Sequence, residues 1–129
     1  MTLFKKEIQV NYKTTITQLG RMADEIALRD MLIIFNEGAP EELAEFSVLH
    51  TQAALTRDVS PGDKVLLGDG EFTVTAVGEK ANSTLRKMGH CTFKFGGTSA
   101  ADLPGQIQLE GRGMPSVNPG DPFEVHFKG

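Results

Sequence analysis

What this chain lacks sets the first limits on it. Among 129 residues there is no tryptophan, one tyrosine and one cysteine. Sugar rings are gripped largely by broad aromatic faces, so the composition lends thin support to a module that recognises a sugar directly. The single thiol, Cys91, cannot close an internal disulfide, and one free thiol is what a reducing compartment permits. A basic stripe is also missing: 13 Lys and Arg stand against 17 Asp and Glu, for a net charge of -4 and a pI near 5.3. The cations are scattered rather than clustered, which leaves nothing to neutralise a phosphate backbone, so nucleic acid is not an expected partner. Lys5 and Lys6 stand where a signal peptide would carry its charge, yet no long apolar run follows them, and no segment approaches membrane-spanning length. A cytoplasmic protein with no direct membrane insertion is the expectation.

What is present describes an ordinary folded chain. With 40% hydrophobic and 23% charged residues, the length suits one domain over residues 1–129, residues 1–10 being an N-terminal extension or a first strand. Strand patterns dominate. Lys13 to Gln18 alternates, Met31 to Phe35 is a short continuous apolar run, and further strands are read at Cys91 to Phe95, Ile107 to Glu110 and Phe123 to Phe127. Val65 to Leu67 and Phe72 to Val77 flank Gly68-Asp69-Gly70, where the Asp-Gly pair is expected to supply the positive φ of a tight hairpin. Helix is limited to Pro40 to Glu45, with proline as its first residue and acidic residues in its first turn, and Asn82 to Lys87, with capping side chains at its start and Gly89 after its end. Met22 to Leu28 stays ambiguous. Pro61-Gly62-Asp63 and Pro119-Gly120-Asp121 are turn chemistry, as is Pro104-Gly105. Many short strands with close turns and no long helix argue for an antiparallel sandwich or barrel.

Three histidines are the candidates for chemistry. In Phe123-Glu124-Val125-His126-Phe127 the apolar residues share one face, which leaves His126 on the solvated one. His90 precedes the alternation of Cys91, Phe93 and Phe95; it reads either as a half-exposed strand-end residue or as a group that holds a neighbouring imidazole in one tautomer. His50 ends the run Phe46-Ser47-Val48-Leu49-His50. If that run is extended, Phe46, Val48 and His50 share a face and the imidazole lies at the rim of the interior, reachable from outside and of little consequence for stability.

The string from Met31-Leu32-Ile33-Ile34-Phe35 through Glu37-Gly38-Ala39-Pro40 to Val48-Leu49-His50 resembles the glucitol/sorbitol-specific enzyme IIA component of the bacterial sugar phosphotransferase system. The likeness continues in order through Tyr12 to Thr17, Val74 to Gly78, Leu85-Arg86-Lys87-Met88-Gly89-His90, Leu103-Pro104-Gly105 and Asn118 to Asp121. It implies an all-β fold, a closed antiparallel barrel of about six strands with one or two short helices. It also implies a phosphotransferase component in which His50 accepts a phosphoryl group from the phosphocarrier protein HPr and passes it to the IIB component as sugar enters through IIC.

That chemistry asks for one unprotonated ring nitrogen, with the other pinned to an acceptor, and for donors to the phosphoryl oxygens; no metal or cofactor is required. Thr51 and Gln52 are candidate donors, and His90 is a further one if it is more than a strand-end residue. Where this sequence has Gln52 the family often has a second histidine, so a mechanism needing adjacent histidines does not suit this chain. Leu49, Ala53, Ala54 and Leu55 are candidates for an apolar docking rim, or equally for core. Two rival readings stand beside this one: a non-catalytic barrel that binds a sugar or a regulatory protein, and a metal site of His50, His90 and Cys91, whose spacing is weak support.

Overall fold

The computed structural model describes residues 11–129, so the expectation of an extension or a strand at residues 1–10 lies outside the described residues. In β1, Tyr12–Leu19, the alternation read from sequence is physical: Tyr12, Thr14 and Ile16 are buried while Lys13, Thr15 and Thr17 are exposed. The ambiguous stretch that follows becomes a short helix, α1, Ala23–Ala27. The chain then forms β2, Met31–Asn36, a four-residue helix α2, Glu41–Ala44, and β3, Ser47–His50. Pro40 stands just before α2 as its cap, with φ -53° and ψ 141°, rather than within its first turn. Next come β4, Lys64–Leu67, and β5, Gly70–Val77, then α3, Ala81–Met88. The chain finishes with β6, Cys91–Lys94, β7, Gln106–Glu110, and β8, Pro122–His126.

The strands close into one barrel in the order β1-β3-β2-β6-β7-β5-β4-β8, with β8 pairing back onto β1. The closed barrel with short helices agrees with expectation, although the described residues form eight strands where about six were expected and three short helices where one or two were, and the barrel is not wholly antiparallel. β2 pairs with β3, and β6 with β7, in parallel. The segments between them, residues 37–46 and 95–105, are near the dozen or so residues that carry a chain back across a sheet. Closure leaves no strand edge unpaired among the described residues.

The β4–β5 hairpin forms, with Leu67 opposite Gly70. Its positive φ sits on Gly68, at 62°, and Gly70 is a strand residue. Inside the barrel, Tyr12, Phe72, Phe93 and Phe123 are the largest fully buried side chains. The rings of Tyr12 and Phe93 meet that of Phe123 edge-on, with centroids 5.6 and 5.7 Å away.

α3 is held by a contact that its composition did not reveal. Lys80 occupies the cap position and no side chain caps it; the Asn82 side chain instead accepts from the Val59 amide at 2.7 Å and donates to the Val59 carbonyl at 2.9 Å. At its other end the helix stops as expected at Gly89, in the left-handed conformation with φ 62°. That turn delivers the chain into β6 beside β2, against the end of β3.

Candidate functional site

β3 is buried on both faces. Its inner side contributes Val48 to the core, its outer side is covered by α2, and the Ser47 hydroxyl donates to the Leu43 carbonyl at 2.7 Å. The inward periodicity that starts at Val48 carries His50 into the barrel. The imidazole is 0% exposed, and it meets the Phe123 ring at 5.0 Å and 71°, joining the central aromatic group. Nδ1 lies 2.8 Å from the Thr51 carbonyl, and Nε2 lies 2.8 Å from the Gly89 carbonyl. The rim position expected for His50 is therefore overturned: Val48 and His50 do turn inward, but Phe46, expected on the same face, lies before the strand and is exposed, and the strand ends inside the barrel, beneath the α3–β6 turn.

Two carbonyls around one imidazole create a conflict. Burial, the largest influence, pushes the His50 pKa below its usual value, against an upward pull from the Gly89 and Thr51 carbonyls and from the Glu37 carboxylate. A neutral ring has one N–H and so donates to only one of the two oxygens, leaving the other facing a nitrogen lone pair. Asn36, opposite His50 in the β2–β3 register, adds to the strain at this end, because its buried Oδ1 has no hydrogen-bond partner among the described residues.

His90 is differently placed. It is half-buried at the head of β6, and its ring stacks on Phe35 with centroids 4.5 Å apart and planes 30° from parallel. Nδ1 lies 3.1 Å from the Ile34 carbonyl. The carbonyl can only accept, so Nδ1 carries the proton and Nε2 is bare in the neutral ring. His90 thus does not hold the His50 tautomer, as one reading had it; backbone carbonyls flank each ring separately. The third imidazole, His126, is partly exposed and its Nε2 lies 2.7 Å from a Glu124 carboxylate oxygen.

Thr51 ties the end of β3 to β1. Its amide donates to the Thr15 carbonyl at 2.9 Å, and its hydroxyl accepts from the Thr15 amide at 3.0 Å. Gln52 is exposed and lines a surface groove of about 340 Å³ with Phe35, Glu37, Pro40, Leu43 and Met88. The apolar residues expected at a docking rim divide between interior and surface. Leu49 and Leu55 are each 5% exposed and belong to the interior, whereas Leu43 and Met88 are 49% and 40% exposed. Only Ala53 and Ala54 of the four expected rim residues face outward.

Cys91 points into the core, and burial pushes its thiol far up from its usual pKa. Its sulfur is therefore on the opposite side of β6 from the ring of His90 against Phe35, and the three proposed metal ligands do not converge. Gly89 is legible in the sequence as a helix stop, and Phe35 and Met88 as members of the strings that resemble the family, but no local signal marks these residues or Asn36 as neighbours of the site, since the strands and the helix end that join them meet only in the folded barrel.

Comparison with known proteins agrees with the barrel. Residues 11–124 match the family model for the PTS system glucitol/sorbitol-specific IIA component. Curated proteins called PTS system glucitol/sorbitol-specific EIIA component, from Shigella flexneri and from Escherichia coli K12, are each 39% identical over 111 residues, covering 86% of this chain and 90% of the relative. A crystal structure of a PTS system IIA component from Enterococcus faecalis V583 superposes with a TM-score of 0.77 at 24% identity, covering 89% of this chain and 99% of that one, which supports the fold. No helix among the described residues is long and apolar enough to cross a membrane. On the strength of the family model and of relatives matched over most of their length, this chain belongs to the glucitol/sorbitol-specific IIA family of the sugar phosphotransferase system and is a phosphoryl-carrying component of sugar uptake.

Proposed function

We propose that this chain works in the cytoplasm, takes a phosphoryl group from HPr onto His50, beneath the α3–β6 turn, and hands it to the IIB component for use on a hexitol entering through IIC. The observation that carries the reading is the family match over residues 11–124, which spans His50. Membership in a phosphoryl-carrying family also disfavours the rival of a passive binding barrel.

The resemblance assigns the phosphoryl group to His50, and the geometry states what that assignment demands. With Nδ1–H donating to the Thr51 carbonyl, Nε2 is the reacting nitrogen, and the Gly89 carbonyl 2.8 Å away must leave before phosphorus can approach. The α3–β6 turn would have to open. Gln52, exposed on the groove, is a donor to phosphoryl oxygens in such a state, and the Thr51 hydroxyl proton is a second. The transfer exchanges one nitrogen–phosphorus bond for another, so little driving force is needed and positioning supplies the catalysis.

The test is incubation of the full chain with phosphoenolpyruvate, enzyme I and HPr. An acid-labile, base-stable adduct of one phosphoryl group per chain is expected, discharged on addition of the IIB component. A chain that stays unmodified while a control IIA protein is labelled would sink the reading.

A further inference from the structure

Asn36 belongs both to the surface groove and to the surroundings of the buried His50 ring. We propose that Asn36 is a phosphoryl-binding residue: its carboxamide NH2 donates to a phosphoryl oxygen on His50 once the Gly89 carbonyl has left Nε2. The proposal rests on the carrier reading above and deepens it.

Three observations carry it. Asn36 ends β2 opposite His50 in the parallel β2–β3 register, and the next amide, that of Glu37, donates to the His50 carbonyl at 2.8 Å, so backbone holds the two residues side by side. The point where a Cβ on Gly89 would stand lies within 2.8 Å of both Asn36 Oδ1 and His50 Cε1, and Cε1 is bonded to Nε2. The carboxamide therefore stands by Gly89, whose carbonyl meets Nε2, whereas the Thr51 carbonyl meets Nδ1. Finally, Asn36 is half-buried and lines the groove of about 340 Å³ with Gln52 and Met88, while its Oδ1 is buried and has no hydrogen-bond partner among the described residues. An acceptor left in that state costs stability. A phosphoryl group passing from the groove to Nε2 arrives at this side chain and gives it a partner.

Ionised phosphoryl oxygens only accept hydrogen bonds, and a half-turn about χ2 of Asn36 puts the two Nδ2 protons where Oδ1 now lies. In the transfer, the donor's phosphohistidine N–P bond breaks as the bond from phosphorus to His50 Nε2 forms. The donor ring, protonated on its other nitrogen, departs as neutral imidazole with the bonding electron pair. His50 keeps its Nδ1 proton on the Thr51 carbonyl. Asn36 gives up no proton: it supplies a fixed dipole to oxygens whose charge is being redistributed, in a pocket where water does not compete.

The experiment compares the wild-type chain with Asn36→Leu, which keeps the branching of the side chain and removes both of its polar ends, during labelling by phosphoenolpyruvate, enzyme I and HPr. For Asn36→Leu the labelling rate at saturating phospho-HPr should fall roughly 100-fold with KM unchanged. Its urea midpoint should be no lower than that of the wild type, because the orphaned acceptor has gone. Labelling of Asn36→Leu at the wild-type rate overturns the proposal and leaves the carrier reading standing. If the variant folds poorly, nitrogen-15 NMR of the wild-type chain decides: on phosphorylation the Asn36 Nδ2 protons should move downfield, and resonances that stay in place overturn the proposal. A wild-type chain that takes no label at all overturns both readings.

Discussion

At the scale of single residues, His50 shows how much an inch of burial changes a side chain's meaning. As a rim group it was expected to matter little for stability; as a fully buried ring between two carbonyls and against Phe123, it should matter a good deal. We expect His50→Ala to lower stability by about 2–4 kcal/mol, since it opens a cavity and strands two acceptors; urea denaturation followed by circular dichroism measures this. Burial also gives a pH signature. The folded-state pKa of His50 lies below the ordinary 6.5, so below that pH the unfolded chain takes up a proton that the folded chain resists. The stabilising contribution is complete above pH 6.5 and declines as pH falls from there toward the lowered folded value, at up to about 1.4 kcal/mol per pH unit. Urea midpoints near pH 7.5 and pH 5.5 should therefore converge in the His50→Ala protein relative to the wild type, and an equal decline in both would remove the assignment.

At the scale of elements, the decisive piece is the turn from α3 into β6. Gly89 adopts φ 62°, and a Cβ there would collide with the Asn36 side chain and come within 2.8 Å of His50 Cε1. Gly113 has nearly the same φ, 61°, but faces open space. Both alanine substitutions carry the left-handed penalty of roughly 1 kcal/mol. Only Gly89→Ala should add a packing cost, for a total of about 2–3 kcal/mol. Comparing the urea midpoints of the two variants isolates how tightly the helix end, β2 and β3 are locked together; equal losses would mean that the junction yields freely. Asn82 explains why the helix stands there at all. Its amide clamps the backbone of Val59, so the helix is fixed from the side rather than capped from its end.

At the scale of the whole molecule, barrel closure makes the interior a single compartment. Cys91 is the sole cysteine, sits 1% exposed in the core, and has its thiol pushed well above the usual range by burial. A thiol reagent should therefore find it only when the barrel opens. Labelling with a disulfide reagent should be negligible in native buffer and should follow the global urea transition, and fast native labelling would show that β6 detaches on its own. The two parallel pairings, β2 with β3 and β6 with β7, join strands through crossings rather than hairpins, and both border the β3–β2–β6 wall where His50 and His90 stand.

The amino-acid sequence by itself determined the strand positions, because period-two burial is written in residues such as Tyr12, Thr14 and Ile16, and it determined the Gly89 helix stop, because only glycine adopts that φ cheaply. It also carried the family likeness that the comparisons bear out. Tertiary structure alone decided the strand count, the parallel pairs and above all the setting of the histidines. Whether an inward-facing residue at a strand end meets water or carbonyls depends on what covers that end. Here the cover is a helix terminus 39 residues further along the chain, brought over His50 by the closing of the barrel.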